Sequence, residues 1–410
     1  MPFNSANKVA ITGVAHSKLG RRQERPIGAL AVDACLAAIA DAGLTVKDID
    51  GVATFPQTTG PGVGPEPGVS SAPFPWMTEG LGIEELNWWG NGGGNISTAI
   101  GYGIDAIATG RCNNVLVWRA MYQPRSGAFG SGTRNTAADA AARPAPRASM
   151  GQQFTAPYGF GDAPSGFAPA YMRYMKQYGA KRHHMAAYTV ELRKNANKNP
   201  NSVFYDQPMS YEDYMNCRMI CDPLCLFDCD MPVDGAAAII LQRADLAEAG
   251  PQKPAYITAL GSGSYDWRTI PPEQWRYASS GNIGRTLWSS TYMKPTDMDG
   301  AMFYDGFSPD VYWWVEGMRF CKFGEGFEFI QDGRIAIEGG ELPINTFGGQ
   351  VSEGRLHGIG HWVEGVKQTQ GRADDKPGDG ARQIKNVNNI LVCTGMLGHG
   401  NGVILSTEPR

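Results

Sequence analysis

The chain has 410 residues, 42% of them apolar, with 53 glycines, eight cysteines and a formal net charge of −4. That length allows one large or two fused domains, and the charge leaves no basic footprint for nucleic acid. No apolar run is long enough for a membrane span, and "MPFNSANKVAITGV" has no signal-peptide pattern, so the thiols are expected reduced in a cytoplasmic protein. "KVAITGVAHS" reads as a buried strand entering a glycine turn. "IGALAVDACLAAIADAGL" follows as an alanine-rich helix stopping at Gly43, and "VKDIDGVATF" gives a turn and a second strand. Strand, helix and strand in this order predict a βαβ unit of an α/β fold.

Further along, Ile96, Ile100, Ile104 and Ile107 recur at helical spacing, so a helix begins just after Gly92-Gly93-Gly94 with Asn95 near its cap. Such a helix start can hold an anion or oxyanion, but the glycine spacing fits neither the P-loop nor the dinucleotide fingerprint. "VLVW" is the next strand. Two stretches lack periodicity, Pro56 to Trp76 and a Gly/Ala/Pro/Ser-rich insertion over about 123–170. Loops of that length serve as functional covers or stay disordered. "AYMRYMKQYGAKRHHMAAYTVELRKNA" returns to a helical pattern.

The run "CRMICDPLCLFDCDMPVDGAAAII" puts Cys217, Cys221, Cys225 and Cys229 at every fourth position. Pro223 interrupts any helical face, and the run lacks the turn glycine and paired separation of zinc knuckles. The thiols read as small buried fillers, with no metal. "INTFGGQVSEGRLHGIGHWVEG" is the densest candidate site. Gly348 and Gly349 allow close backbone approach. His357 and His361 stand four apart, either as a two-histidine face or as one functional and one helical histidine; H-E-x-x-H chemistry is excluded. "NILVCTGMLGHGNGVILS" gives two strands joined by a glycine-rich turn, with Cys393 at the end of the first.

"VKDIDGVATF" (Val46 to Phe55) lines up with "PTDMDGAMFY" (Pro295 to Tyr304), matching Asp48, Asp50 and Gly51 to Asp297, Asp299 and Gly300. "VAITGVAHS" resembles "AYITALGSGS" at nearly the same offset. The two matches predict an internal duplication of about 250 residues, divided as 1–245 with the insertion and 246–410.

These segments, above all "DPLCLFDCDMPVDGAAAIIL", "FYDGFS", "NTFGGQVSEGRLHG" and "CTGMLGHGNG", resemble the thiolase superfamily over nearly the whole chain. The resemblance is strongest to its sterol-carrier-protein or lipid-transfer branch, which includes the steroid side-chain-cleaving aldolases. It implies a thiolase fold, two homologous βαβ halves in a five-layered αβαβα arrangement. The family's nucleophilic cysteine falls here on Gly93 or Gly94, so no acyl-enzyme is expected at that position. The Asn-Glu-x-Phe motif reads Tyr304-Asp305-Gly306-Phe307, the Gly-His-Pro histidine falls at Arg355, and Cys393 keeps the place of the second, acid–base cysteine.

The implied activity is retro-aldol cleavage of a bulky β-hydroxyacyl-CoA by a carbon–carbon lyase. Tyr304 is the first choice for proton transfer, aided by the charge of Arg355. His357 is the second, as donor to the thioester oxygen or as acid, with Cys393 as a further acid–base group. Gly93, Gly94, Asp305, Gly348, Gly349 and Gly398 are expected to line the substrate. Where the steroid aldolases tend to carry a second tyrosine, this chain has Arg355. Two alternatives stay open: an acyl-CoA acyltransferase using Cys393, and a non-catalytic acyl-CoA or lipid-binding subunit. No cofactor is expected beyond coenzyme A within the substrate. The resemblance further implies a homodimer and a small partner combining an OB fold with a zinc ribbon.

Overall fold

The computed structural model describes residues 5–55, 66–92, 95–123, 154, 156–158, 163–264, 279–374, 381–396 and 399–410. The first strand, β1 (Val9–His16), leads to α1 (Ile27–Asp41), which starts after Pro26 and ends at Gly43 with φ +71°. Proline before a helix and a left-handed glycine after it are the expected punctuation. Next come β2 (Gly51–Thr54), α2 (Phe74–Leu81), β3 (Trp88–Asn91), α3 (Ile96–Ala108) and β4 (Asn114–Met121). As expected, Asn95 caps α3, its Oδ1 accepting the Thr98 N–H at 2.9 Å.

The insertion after β4 holds α4 (Ala163–Tyr178) and α5 (Arg182–Asn197). Residues 163–170, expected as loop, are therefore helical. Phe167 packs on Phe307 with ring centroids 4.3 Å apart, and burial of this kind outweighs a Pro- and Ser-rich composition. Residues 124–153, 155 and 159–162 of the expected loop lie outside the described residues, as do residues 56–65 of the 56–76 stretch. The cysteine run forms the hairpin β5 (Met219–Cys221) and β6 (Leu224–Cys225); Cys225 and Cys229 are buried. Beyond it follow β7 (Gly235–Arg243), β8 (Ala255–Ser264), α6 (Ser279–Ser289), β9 (Gly300–Phe303) and α7 (Asp310–Gly317). The chain ends with α8 (Gly349–Ser352), α9 (Ile359–Gln370), β10 (Asn389–Met396) and β11 (His399–Ser406).

The strand order β3-β2-β4-β7-β1-β8-β11-β10-β9 contains one pattern twice. In the first half β2 pairs β4 in parallel, and β7 runs antiparallel to both β4 and β1. In the second, β9 pairs β10 in parallel, and β11 runs antiparallel to both β10 and β8. Ile344, bridging Ala301 in parallel, stands where β3 stands in the first half. The matched aspartates do matched work. Asp50 accepts the Asn113 and Asn114 N–H groups at 2.9 and 2.8 Å, and Asp299 accepts those of Asn388 and Asn389 at 2.7 and 2.9 Å.

Helix α1 covers the outer face of the first half's strands and α6 that of the second's, while α3 and α9 touch strands of both. The result is the five-layered αβαβα stack of the thiolase fold. Gly13 on β1 and Gly261 on β8 make the outer contacts possible: a Cβ there would lie 2.2 Å from the Ala38 carbonyl oxygen and 2.3 Å from the Leu287 nitrogen. The insertion packs on the other half, since Phe167, Tyr171, Tyr188 and Leu192 share a core with Phe303, Phe307 and Tyr312.

Candidate active site

Side chains alternate across a strand, and this decides which candidates meet. Beyond the end of β9, Tyr304 faces the central layer. Its ring lies 6.0 Å from that of His361 on α9, and a Cβ on Gly358 would lie 3.3 Å from Tyr304 Cδ2. Its backbone is fixed at both ends: the Tyr304 N–H donates to the Cys393 carbonyl at 2.8 Å, and Trp314 Nε1 donates to the Tyr304 carbonyl at 2.9 Å.

On β10, Val392 and Thr394 face α9: Val392 Cγ2 lies 2.6 Å from a Cβ on Gly365, and Trp362 Nε1 donates to Thr394 Oγ1 at 2.8 Å. Cys393 between them therefore points the other way, into the core shared with Ile283 and Leu287 of α6. Burial holds its thiol well above the usual range. The expected acid–base cysteine is thus placed behind the sheet, away from Tyr304.

Around Tyr304 the segment Asp230–Met231 laces three loops together. The Asp230 N–H donates to the Gly306 carbonyl at 3.1 Å, Met231 N–H to Gln350 at 2.9 Å, and Arg355 N–H to Met231 at 2.7 Å. Arg355 Nη1 meets Asp230 Oδ1 at 3.3 Å, and its Nη2 donates to Gln123 Oε1 at 2.8 Å. Burial raises the Asp230 carboxyl to about 6, against the pull of Arg355. Tyr304 is also raised, first by burial and then by the Asp230 charge, while Gln350 and Arg355 pull it down. Arg355 was expected to favour the phenolate. It does pull in that direction, but burial and the Asp230 charge outweigh it.

His357 lies just before α9 with φ +51°, a left-handed conformation that side chains rarely hold and that clusters at functional sites. Arg119 on β4 donates from Nη2 to His357 Nδ1 at 3.0 Å, and from Nη1 to the Phe55 carbonyl at 2.7 Å. A guanidinium only donates. The imidazole proton therefore sits on Nε2, leaving a neutral ring with one N–H to offer. Burial first, then the charges of Arg119 and Arg355, hold the His357 pKa well below its ordinary value.

The remaining expectations fare differently. Asp305 is fully buried, accepting from the Gln350 N–H at 2.8 Å, His361 Nε2 at 3.1 Å and the Tyr188 hydroxyl at 3.3 Å. It organises the loops rather than facing substrate. Gly349 has φ +63°, and a Cβ there would lie 2.0 Å from Asp305 Oδ2; a Cβ on Gly348 would lie 2.6 Å from Ala196 Cβ. Both glycines serve loop closure. His361 is enclosed with Asp305 and shares no face with His357. Gly93, Gly94 and Gly398 lie outside the described residues.

Sequence reasoning missed Asp230, Arg119, Gln123 and Gln350. The second aspartate of "DCDMPVDG" was a visible signal, since an acidic side chain in an otherwise apolar run needs a partner. Arg119, following "VLVW", was another.

The family described as thiolase C-terminal domain-like matches residues 273–408. The chain is 32% identical over 409 residues to 17-hydroxy-3-oxo-4-pregnene-20-carboxyl-CoA lyase of Mycobacterium tuberculosis, covering 98% of this chain and 99% of that one. It is 33% identical to the steroid side-chain-cleaving aldolase of Thermomonospora curvata, over 97% and 98% of the two chains. Among solved structures, the Ltp2-ChsH2(DUF35) aldolase superposes with a TM-score of 0.82 at 30% identity, over 100% of both chains.

Proposed function

Because the chain belongs to the thiolase superfamily, in the group of the steroid side-chain-cleaving aldolases, we propose that it cleaves a bulky β-hydroxyacyl-CoA of the steroid side-chain type by a retro-aldol reaction, without a covalent acyl-enzyme. The observation that carries this reading is an exchange of chemistry between two places. The chain enters α3 through Gly92-Gly93-Gly94-Asn95, with no nucleophile, while two buried titratable groups, Tyr304 and Asp230, gather beside the Arg355 guanidinium.

Removal of the β-hydroxyl proton lets that oxygen become a ketone as the Cα–Cβ bond breaks, and the bonding pair passes to a thioester enolate. An enolate oxygen needs fixed donors. His357, held as a neutral Nε2–H donor by Arg119, suits that task. Tyr304 is the proton donor to the enolate carbon, in keeping with a phenol raised by burial. Cys393, on the far face of the sheet, speaks against an acyltransferase. The same reading takes coenzyme A as the substrate's handle, with no cofactor held by the chain itself. It includes a homodimer in the cytoplasm and a small OB-fold and zinc-ribbon partner; the solved aldolase carries a second component, ChsH2(DUF35), in its name.

The test is incubation of the purified chain, with and without such a partner, against β-hydroxyacyl-CoAs bearing a steroid ring system or a linear chain. Equimolar ketone and shortened acyl-CoA are expected, with no mass added to the protein. An acyl adduct on Cys393, or acyl exchange between thioesters without ketone, would overturn the reading.

A further inference from the structure

Retro-aldol cleavage needs a group that accepts a proton from a hydroxyl at neutral pH, and Tyr304 is poorly placed for it: burial and the neighbouring Asp230 charge both resist its ionisation. We propose, on the retro-aldol reading above, that Asp230 is the catalytic base, held toward the substrate by Arg355, and that Tyr304 works only as the acid. Geometry carries the assignment. The Asp230 backbone and the Tyr304 hydroxyl meet at the same residue, Gly306. The Asp230 N–H is bonded to the Gly306 carbonyl at 3.1 Å, and a Cβ on Gly306 would lie 3.1 Å from the Tyr304 hydroxyl oxygen. Arg355 fixes the carboxylate from the other side at 3.3 Å and is itself anchored on Gln123 at 2.8 Å.

The pair is nearly but not wholly enclosed, with Asp230 7% and Arg355 14% exposed. Asp305 is 0% exposed with both oxygens hydrogen-bonded, and Asp310, buried at the start of α7, accepts the Phe307 N–H at 3.3 Å, so Asp230 alone of the three is paired with a guanidinium. The charged and titratable groups facing Asp230 are Arg355 from the turn before α9, Tyr304 and Asp305 from the end of β9, and Asp310 from the start of α7. A carboxyl raised to about 6 matches a base working near neutrality, since proton transfer is most effective when the pKa lies near the working pH.

The step balances without any added reagent. The Asp230 carboxylate takes the β-hydroxyl proton, and the O–H pair becomes the second bond of the ketone. The Cα–Cβ pair moves onto the thioester as enolate, with its oxygen against His357 Nε2–H. The enolate carbon takes the Tyr304 proton, and the Asp230 carboxyl returns its proton to the Tyr304 oxygen.

The sign of the pH dependence follows. Asp230 accepts only when ionised, so kcat/KM should fall as pH drops through about 6. The experiment compares wild type, Asp230→Asn, Asp230→Glu and Tyr304→Phe with the cleaved β-hydroxyacyl-CoA between pH 5 and 9. Asparagine keeps the shape and a carbonyl for Arg355, so kcat should fall about 10²–10⁴-fold and the acidic limb should disappear. Glutamate should restore part of the rate and the limb. Tyr304→Phe should lower the plateau yet keep the limb. An Asp230→Asn enzyme within a few-fold of wild type, with the acidic limb unchanged, overturns the assignment while leaving the lyase reading intact. A wild-type enzyme that yields no ketone overturns both.

Discussion

The ends of β2 and β9 are equivalent positions in the repeat, and they differ by one oxygen atom. The first half ends its strand with Phe55 and the second with Tyr304, as the matched "VKDIDGVATF" and "PTDMDGAMFY" require. Both lie near the turn that enters α9. The Phe55 ring is 6.4 Å from His357, and Tyr304 is in contact distance of Gly358. On the adjoining strands, Arg119 of β4 reaches over Phe55, its guanidinium 4.4 Å from the ring centroid, while Thr394 of β10 takes a hydrogen bond from Trp362. The halves share a topology but divide the labour. The first half supplies the Arg119 cation and the Asp230 carboxylate. The second supplies Tyr304, Arg355 and His357, so the cluster draws on both halves.

The largest effect is expected from making the strand ends identical. Tyr304→Phe gives the second half the residue of the first; it keeps the ring, so Tm should hardly move, while kcat should fall about 10²–10⁴-fold. Steady-state kinetics with near-normal turnover would break the comparison. Removing the first half's contribution comes next. Arg119→Met frees His357 Nδ1, and a hydrogen bond to a charged group contributes about 1.5–3 kcal/mol, which corresponds to a kcat/KM loss of roughly ten- to a hundredfold. The cause is separable by ¹⁵N chemical shifts of the His357 ring, which should show the Nε2–H tautomer in the wild type and a mixture in the variant. Unchanged shifts would mean that Arg119 does not set the tautomer.

Stability offers a symmetric test. Asp50→Ala and Asp299→Ala each remove a carboxylate that accepts two backbone N–H groups. Each should cost about 1.5–3 kcal/mol in urea unfolding. A large inequality between them would show that the two turns are not equivalent supports. The smallest effect belongs to Cys393→Ser. It places a hydroxyl in an apolar core, at a cost of about 1–3 kcal/mol, and should leave kcat within a few-fold because the side chain faces α6. A collapse of kcat with an unchanged Tm would return Cys393 to the site.

Much of the fold was legible because it is local or repeated. The Asn95 cap, the Gly43 stop and the turn aspartate are written in spacings of a few residues, and the repeat shows the aspartate twice, as Asp50 and Asp299. Tyr304 and His357 were legible through motif position. The role of Arg355 was not, because the charge it meets, Asp230, lies 125 positions away in sequence. The use of Cys393 was equally hidden: a strand-end residue can face either side of a buried sheet, and "NILVCTGM" is apolar on both.

The amino-acid sequence by itself determined the two-half architecture, the absence of a nucleophile before α3 and the presence of a phenol after β9, since each is a matter of residue identity at a fixed distance from its own strand or helix. Only the tertiary structure decided which groups share a site and in what ionisation state. Asp230 near neutrality, a raised Tyr304 and a His357 locked as donor all arise from burial and from charges carried by other segments. Those contributions exist only once the chain has closed around them.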